Sequence, residues 1–248
     1  MFRKAIFAAA LAGSAILCAP VQASVSVDPG ALFGYIPLTA FGTPSIGMTT
    51  DGAISFNIPS VFFAGESWTR MTVFENGFIT LGNAALPAGL GSMANQSLPT
   101  AGVGAPILAP YWADIDATGN GAVRVTVLTD GVSDWIVVDW DDVLVVGQSQ
   151  LSSFEIWMGT NGSEDVTFAY ESIHGGSAFT VGAQASGADG DTYLYNAGAV
   201  SSDLRVTTSG LPVTPPVVPE PATWAMMIAG FALAGAAMRH RRSAVRFA

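Results

Sequence analysis

Residues 71–81 read MTVFENGFITL. Met71 to Phe74 and Phe78 to Leu81 are short apolar and β-branched runs, and Glu75-Asn76-Gly77 separates them. Asn-Gly between two such runs is the strongest short hairpin signal a sequence can give. The same grammar continues outward on both sides. Upstream, Ile54, Phe56 and Ile58 alternate with polar partners and stop at Pro59. Downstream, Val123, Val125 and Val127 mark one face of a strand over 122–129, with Asp130-Gly131 as its turn. Trp135 to Val138 is its natural partner. Further strands are expected at 154–158, 166–170, 179–184 and 192–195. No stretch of this region keeps a helical period over three turns. Many short strands with no helices between them predict an all-β fold, an antiparallel sandwich or barrel-like single domain. Segment 83–106, rich in Ala, Gly and Pro, reads as a long surface loop.

The two ends read differently from the middle. Residues 1–23 have the parts of a secretory signal: Arg3 and Lys4, an apolar run from Ala5 to Leu17, then Val21-Gln22-Ala23. Cleavage is expected between Ala23 and Ser24. Cys18 is the one cysteine and is expected to leave with the signal, which excludes disulfides, thiolate metal sites and a cysteine nucleophile. The β domain is then expected over 24–208, about 185 residues, enough to bury roughly 70% of its unfolded surface.

Charge becomes informative once divided by region. Residues 24–208 hold Arg70, Arg124 and Arg205, no lysine, and 18 acidic residues, a net charge of −15. Such a surface repels nucleic acid and anionic lipid. Most of its carboxylates have no basic partner, so they are expected to be solvated or to bind cations.

From 209 to 221 the sequence SGLPVTPPVVPEP holds five prolines, which predicts an extended stalk of roughly 40 Å. An uncharged span follows from Ala222 to Met238, then a basic tail over 239–248 with Arg239, Arg241 and Arg242. Seventeen residues at helical rise cover about 25 Å, a short transmembrane helix. The arginines predict that the tail stays in the cytoplasm and the domain lies outside. Trp224 sits where an interfacial aromatic would.

Pro219-Glu220-Pro221, Trp224, the short span and the arginine cluster, in that order over 219–243, resemble the PEP-CTERM sorting signal of Gram-negative bacteria. The resemblance implies an exosortase as processing partner near Pro219–Pro221. It further implies transient anchoring in the membrane by the C-terminal helix before processing, then release or transfer to the cell surface, often beside exopolysaccharide. The same segment is sometimes labelled an ice-binding-protein C-terminal region, a label that says nothing about ice. In the middle, FENGFITLG (74–82), PILAPYWADID (106–116), WIVVDWDDV (135–143), FEIWMGTNGSEDVTFAYESI (154–173) and VGAQA (181–185) resemble the NIDO domain. That resemblance covers roughly 50–200 and implies an extracellular module linked with cell–matrix adhesion. It brings no catalytic residues.

Candidate chemistry is sparse. Asp114, Asp116 and Asn120, in a Gly-rich turn with Thr118, can supply oxygen ligands to Ca²⁺; the commoner role of such residues is to cap their own turn. Asp139, Asp141 and Asp142 form a second acidic group and Asp189 and Asp191 a third, both expected on solvated edges. His174 is the only histidine of the domain, too few for a triad or a zinc site. Paired carboxylates can run glycoside hydrolysis, but the sequence gives no geometry for a pair. Trp68, Trp112, Trp135, Trp140 and Trp157 can hold a sugar-stacking platform or can be core. The reading that follows is a secreted, exosortase-sorted adhesive module of the cell–matrix or biofilm surface, not an enzyme and not a nucleic-acid binder. Its partner is expected to be extracellular matrix or exopolysaccharide. A carbohydrate-binding module, calcium-dependent or not, is the alternative, and a hydrolase a third.

Overall fold

A computed structural model describes residues 24–209, apart from 32, 33, 93, 120, 187 and 188. The expected signal (1–23), stalk, C-terminal helix (222–238) and basic tail lie outside the described residues, apart from Ser209, the stalk's first residue. Among the described residues no helix is long and apolar enough to cross a membrane.

Thirteen strands make up the described chain: β1 Ser24–Pro29, β2 Ala53–Phe63, β3 Glu66–Phe74, β4 Phe78–Leu81, β5 Ile107–Ala113, β6 Ile115–Asp116, β7 Ala122–Thr129, β8 Asp134–Val145, β9 Leu151–Gly159, β10 Val166–Ser172, β11 Phe179–Gln184, β12 Gly190–Tyr195 and β13 Leu204–Ser209. Two short 3-10 turns, Leu38–Phe41 and Leu90–Ser92, are the only helical pieces described. The first sheet runs β1-β13-β10-β9-β8, and β8 is long enough to take both β7 and β6 along its far edge. The second sheet runs β12-β11-β5-β4-β3-β2. Every pairing between these strands is antiparallel. The sheets curl around one shared core into a half-barrel, as the period-two patterns require.

The hairpin at 71–81 forms as its sequence predicts. Phe74 pairs with Phe78, so three residues make the turn, and Gly77 closes it at φ +78. Yet this turn is not a solvent tip. Glu75 and Asn76 are buried, and both reach across to the next strands. Asn76 Oδ1 accepts the Ile115 amide at 2.8 Å, and Glu75 Oε1 accepts that of Ala117 at 3.0 Å. The turn therefore pins β5 and β6 in place.

The hairpin β7–β8 also forms as expected, with Leu128 opposite Trp135 and Val125 opposite Val138. The ends of the domain meet in one ladder, Ser24 against Ser209. Strand β13 thus takes in Ser209, the first residue of the expected stalk.

Segment 83–106 corrects the expectation of a surface loop. Leu90, Leu98, Val103 and Ala105 are buried against Phe74, Phe78, Ile107, Ala109 and Trp112. The segment covers the second sheet's outer face, and Asn95 ties it to Thr180 and Asn196 at 3.1 and 2.8 Å. Phe74, Phe78 and Trp112 stack in a row beneath it, with centroids 4.3 and 4.4 Å apart. The lid exists because β3–β5 carry aromatic side chains on both faces, and an apolar outer face must be covered.

Candidate functional site

Strands β8 and β9 are the middle of the first sheet, and both are apolar on their two faces. Their core-side residues, among them Ile136, Val138, Trp140, Phe154, Ile156 and Met158, fill the shared core. Their outer residues need a cover too. Residues 34–46 supply it as a strap across the sheet. Leu38 is fully buried and packs with Trp135, Val137, Trp157 and Ala169. Removing its side chain should leave a cavity under the strap. Leu38→Ala should cost about 2–5 kcal/mol in urea unfolding; a loss below about 1 kcal/mol would remove the strap from the core.

Beside Leu38 the sheet presents two carboxylates instead of carbon. Asp139 and Glu155 sit opposite each other on β8 and β9, and neither is exposed to solvent. They accept the strap's backbone amides. Leu38 N–H donates to Asp139 Oδ2 at 3.1 Å, and Ile36 N–H to Glu155 Oε2 at 3.1 Å. Trp157 Nε1–H donates to the same Glu155 oxygen at 2.8 Å. The Tyr35 hydroxyl bridges Asp139 and Asp141, at 3.2 and 3.3 Å. Asp141 is held by Arg124 at 2.7 Å, and Arg124 Nε–H also donates to the Thr43 carbonyl at 3.2 Å.

These bonds do not offset the burial. Glu155 Oε1 has no hydrogen-bond partner among the described residues. Burial pushes Asp139 up to about 7 and Glu155 up to about 8, and nearby Asp141 adds to both. Tyr35 is raised by burial and then by Asp139, so its phenol stays protonated. The strap's amide bonds favour the ionised carboxylates, but the cost of burying charge outweighs them, so the fold is most stable when the pair carries protons.

The strap leaves an open groove of about 240 Å³ at the end of the sheet. Ile36 and Phe41 form its strap side; Leu128, Thr129 and Asp130 of the β7 end, Trp135 and Trp157 form the rest. The lining is chiefly apolar. Phe41 is 57% exposed, a large aromatic left in water. Trp135 Nε1–H is bonded to Asp165 at 2.9 Å, and its ring meets Trp157 edge-on at 6.4 Å.

The other sequence candidates scatter. Asp114 links β5 to β6, and Asp116 ends β6. Asp116 Oδ1 accepts both the amide and the hydroxyl of Thr118, at 2.8 and 2.6 Å. These bonds, with Thr118's hydroxyl foremost, hold its pKa below the usual range. Asn120 lies outside the described residues. Among the described residues no three His, Cys, Asp or Glu side chains converge as metal ligands. The group at 139–142 is not the solvated edge expected of it: Asp139 is sealed, Asp141 is ion-paired, and Asp142 occupies a bulge at φ +52. Asp191 accepts the Val27 amide at 2.8 Å and so ties β12 to β1. His174 is exposed in a loop. Of the tryptophans, Trp112 and Trp140 are wholly buried, while Trp135 and Trp157 expose only 8% and 4% at the groove. The carboxylate pair and the strap escaped the sequence reading. An acid inside an unbroken apolar run on a two-faced strand, as in IVVDW and FEIWM, is the signal that points to them.

Comparison with known families agrees with this architecture. The NIDO-related family profile matches residues 32–219, more than half of the chain, and its match takes in both the strap and β13. The PEP-CTERM protein-sorting motif matches residues 217–242. That motif marks the chain for exosortase-dependent export to the cell surface. No curated protein and no solved structure matches the chain. An all-β half-barrel with a family match across nearly all of its described length, followed by a sorting motif, fixes the assignment: the chain belongs to the NIDO-related family.

Proposed function

We propose that the chain is an adhesive module of the bacterial surface, and that the groove beneath the strap is its contact face. The observation that carries this is the groove itself, an apolar concavity beside an exposed Phe41 on a domain sent outside the cell. Exposed apolar side chains grouped at a concavity, here Ile36 and Phe41, mark interaction sites. Cleavage between Ala23 and Ser24 removes the signal, residues 1–23. Before processing, the 222–238 span holds the chain in the inner membrane of a Gram-negative cell, with Arg239, Arg241 and Arg242 inside. An exosortase then acts near Pro219–Pro221.

The partner is extracellular matrix. A glycan reading draws on the same tryptophans, but sugar stacking needs an open ring face, and these rings are almost wholly covered. The hydrolase reading draws on Asp139 and Glu155, which the strap closes to substrate. Cells lacking the chain should lose attachment to their matrix, and the wild-type gene should restore it. Attachment unchanged by the loss would refute the adhesive role.

A further inference from the structure

The groove opens beside a strand edge that no described strand covers over its last half. Strand β7 pairs with β8 on one side only. On the other side, Ile46 N–H donates to the Val123 carbonyl at 2.9 Å, and Ser45 bridges Arg124. There the strap's end covers the edge. Beyond that point no described strand lies alongside. In an antiparallel ladder the residues whose backbone groups face outward recur every second position. Since Val123 faces outward, so do Val125, Val127 and Thr129. Val127 is 47% exposed.

Two features therefore coincide. Beyond the Ser45–Arg124 bridge the edge offers the outward backbone groups of Val127 and Thr129, and Leu128 and Thr129 of the same strand line the groove. A strand added here would send alternate side chains to the outer face, and one of them would lie beside Leu128 and Phe41. The charge of the surroundings fixes the other positions. Asp130 lines the groove, with Asp134 and Asp165 close by on β8 and at the Trp135 ring. Arg124 is the only arginine on β7 to β9, and Asp141 engages it. With 18 acidic residues against three arginines over 24–208, a second copy of the domain would be repelled.

Resting on the adhesive reading above, we propose that the partner is an extended cationic polypeptide that adds as a strand to the free edge of β7. One apolar side chain of that strand fills the groove, and its basic side chains meet Asp130 and Asp134. Backbone bonds supply the affinity and the groove the selection, as in other strand additions.

The test uses the purified mature chain and tryptophan fluorescence. Three synthetic hexapeptides serve as probes: alternating Lys-Val, alternating Glu-Val, and Lys-Val with alternate backbone amides methylated. The Lys-Val peptide should bind saturably. The Glu-Val and methylated peptides should bind at least about tenfold more weakly, since each loses charge attraction or backbone bonds. Val127→Pro deletes one outward amide on an edge strand, where proline is tolerated, and should weaken the Lys-Val peptide about tenfold. Phe41→Ser should weaken it by a similar factor. The inference is overturned if the methylated peptide binds as well as its parent. Binding that ignores both substitutions also overturns it, as does a chain that self-associates or takes an uncharged glycan at this groove instead. Should the Lys-Val peptide fail while Phe41→Ser cells still lose attachment, the inference falls and the adhesive reading stands. Attachment unaffected by Phe41→Ser removes the reading itself.

Discussion

Replacing the buried pair with neutral isosteres, Asp139→Asn with Glu155→Gln, should make the domain more stable at pH 8 and flatten its pH dependence. Burial raises both carboxyls, to about 7 and about 8, above the values of about 3.8 and 4.5 from which they start in an open chain. A raised acid contributes stability that is complete below its unfolded pKa. That stability is lost as pH climbs through the folded pKa. For this pair the loss begins near pH 4 and is complete near pH 8 to 9. Each tenfold change in proton affinity corresponds to about 1.4 kcal/mol, so the pair places several kcal/mol in that window. The groups facing it are Tyr35 on the strap, Asp141 and Arg124 on β8 and β7, and Trp157 on β9. Arg124 offsets only part of the like charge. The exposed carboxylates of Asp116 and Asp130, held low chiefly by bonds to Thr118 and to Ser133, pull the other way, but only at acid pH. The variant should melt roughly 5–10 °C above wild type at pH 8 and about equal to it near pH 4. A variant less stable than wild type at pH 8 would mean that the ionised pair holds the strap.

Gly77→Ala should cost on the order of 4 kcal/mol, enough to threaten folding. Two costs combine. Gly77 is at φ +78, where a Cβ costs about 1–2 kcal/mol. Its Cβ would also stand 2.1 Å from the Tyr111 carbonyl oxygen, which is backbone and cannot swing away. Relief would require parting the turn from β5. The bonds of Asn76 to Ile115 and of Glu75 to Ala117 would then break as well. Gly131 makes the comparison clean. It has φ +87 and nothing within 4 Å of its Cβ, so Gly131→Ala should lose only the conformational part, about 1 kcal/mol. Equal losses at the two sites, measured by chemical denaturation, would show that close packing at the turn contributes nothing.

Much of this architecture was legible because strands write themselves at period two. The alternation at 123, 125 and 127 and the Asn-Gly turn at 76–77 identify two hairpins that the structure contains. Strand order was not legible, since β13 pairs with both β1 and β10 across long sequence gaps. The strap was missed because GYIPLTAFG has no period, and its one deep anchor, Leu38, sits in a single 3-10 turn. The lid at 83–106 was missed likewise, for Leu90, Leu98 and Val103 are spaced without rhythm. The acids misled for a different reason. Three arginines for 18 carboxylates point to solvation or cation binding as the two outcomes. Asp139 and Glu155 take a third, in which burial keeps the proton on the carboxyl. The groove combines all of these: it needs the strap, the end of β7 and the outer face of β8–β9, which no local stretch contains.

The most direct measurement compares cells displaying the wild-type chain with cells displaying Phe41→Ser, at equal amounts on the surface, for attachment to their own matrix. Phe41 is exposed and lines the groove, so the substitution should leave folding and sorting intact. The account predicts that attachment falls to the level of cells lacking the chain. Undiminished attachment at matched display would contradict it.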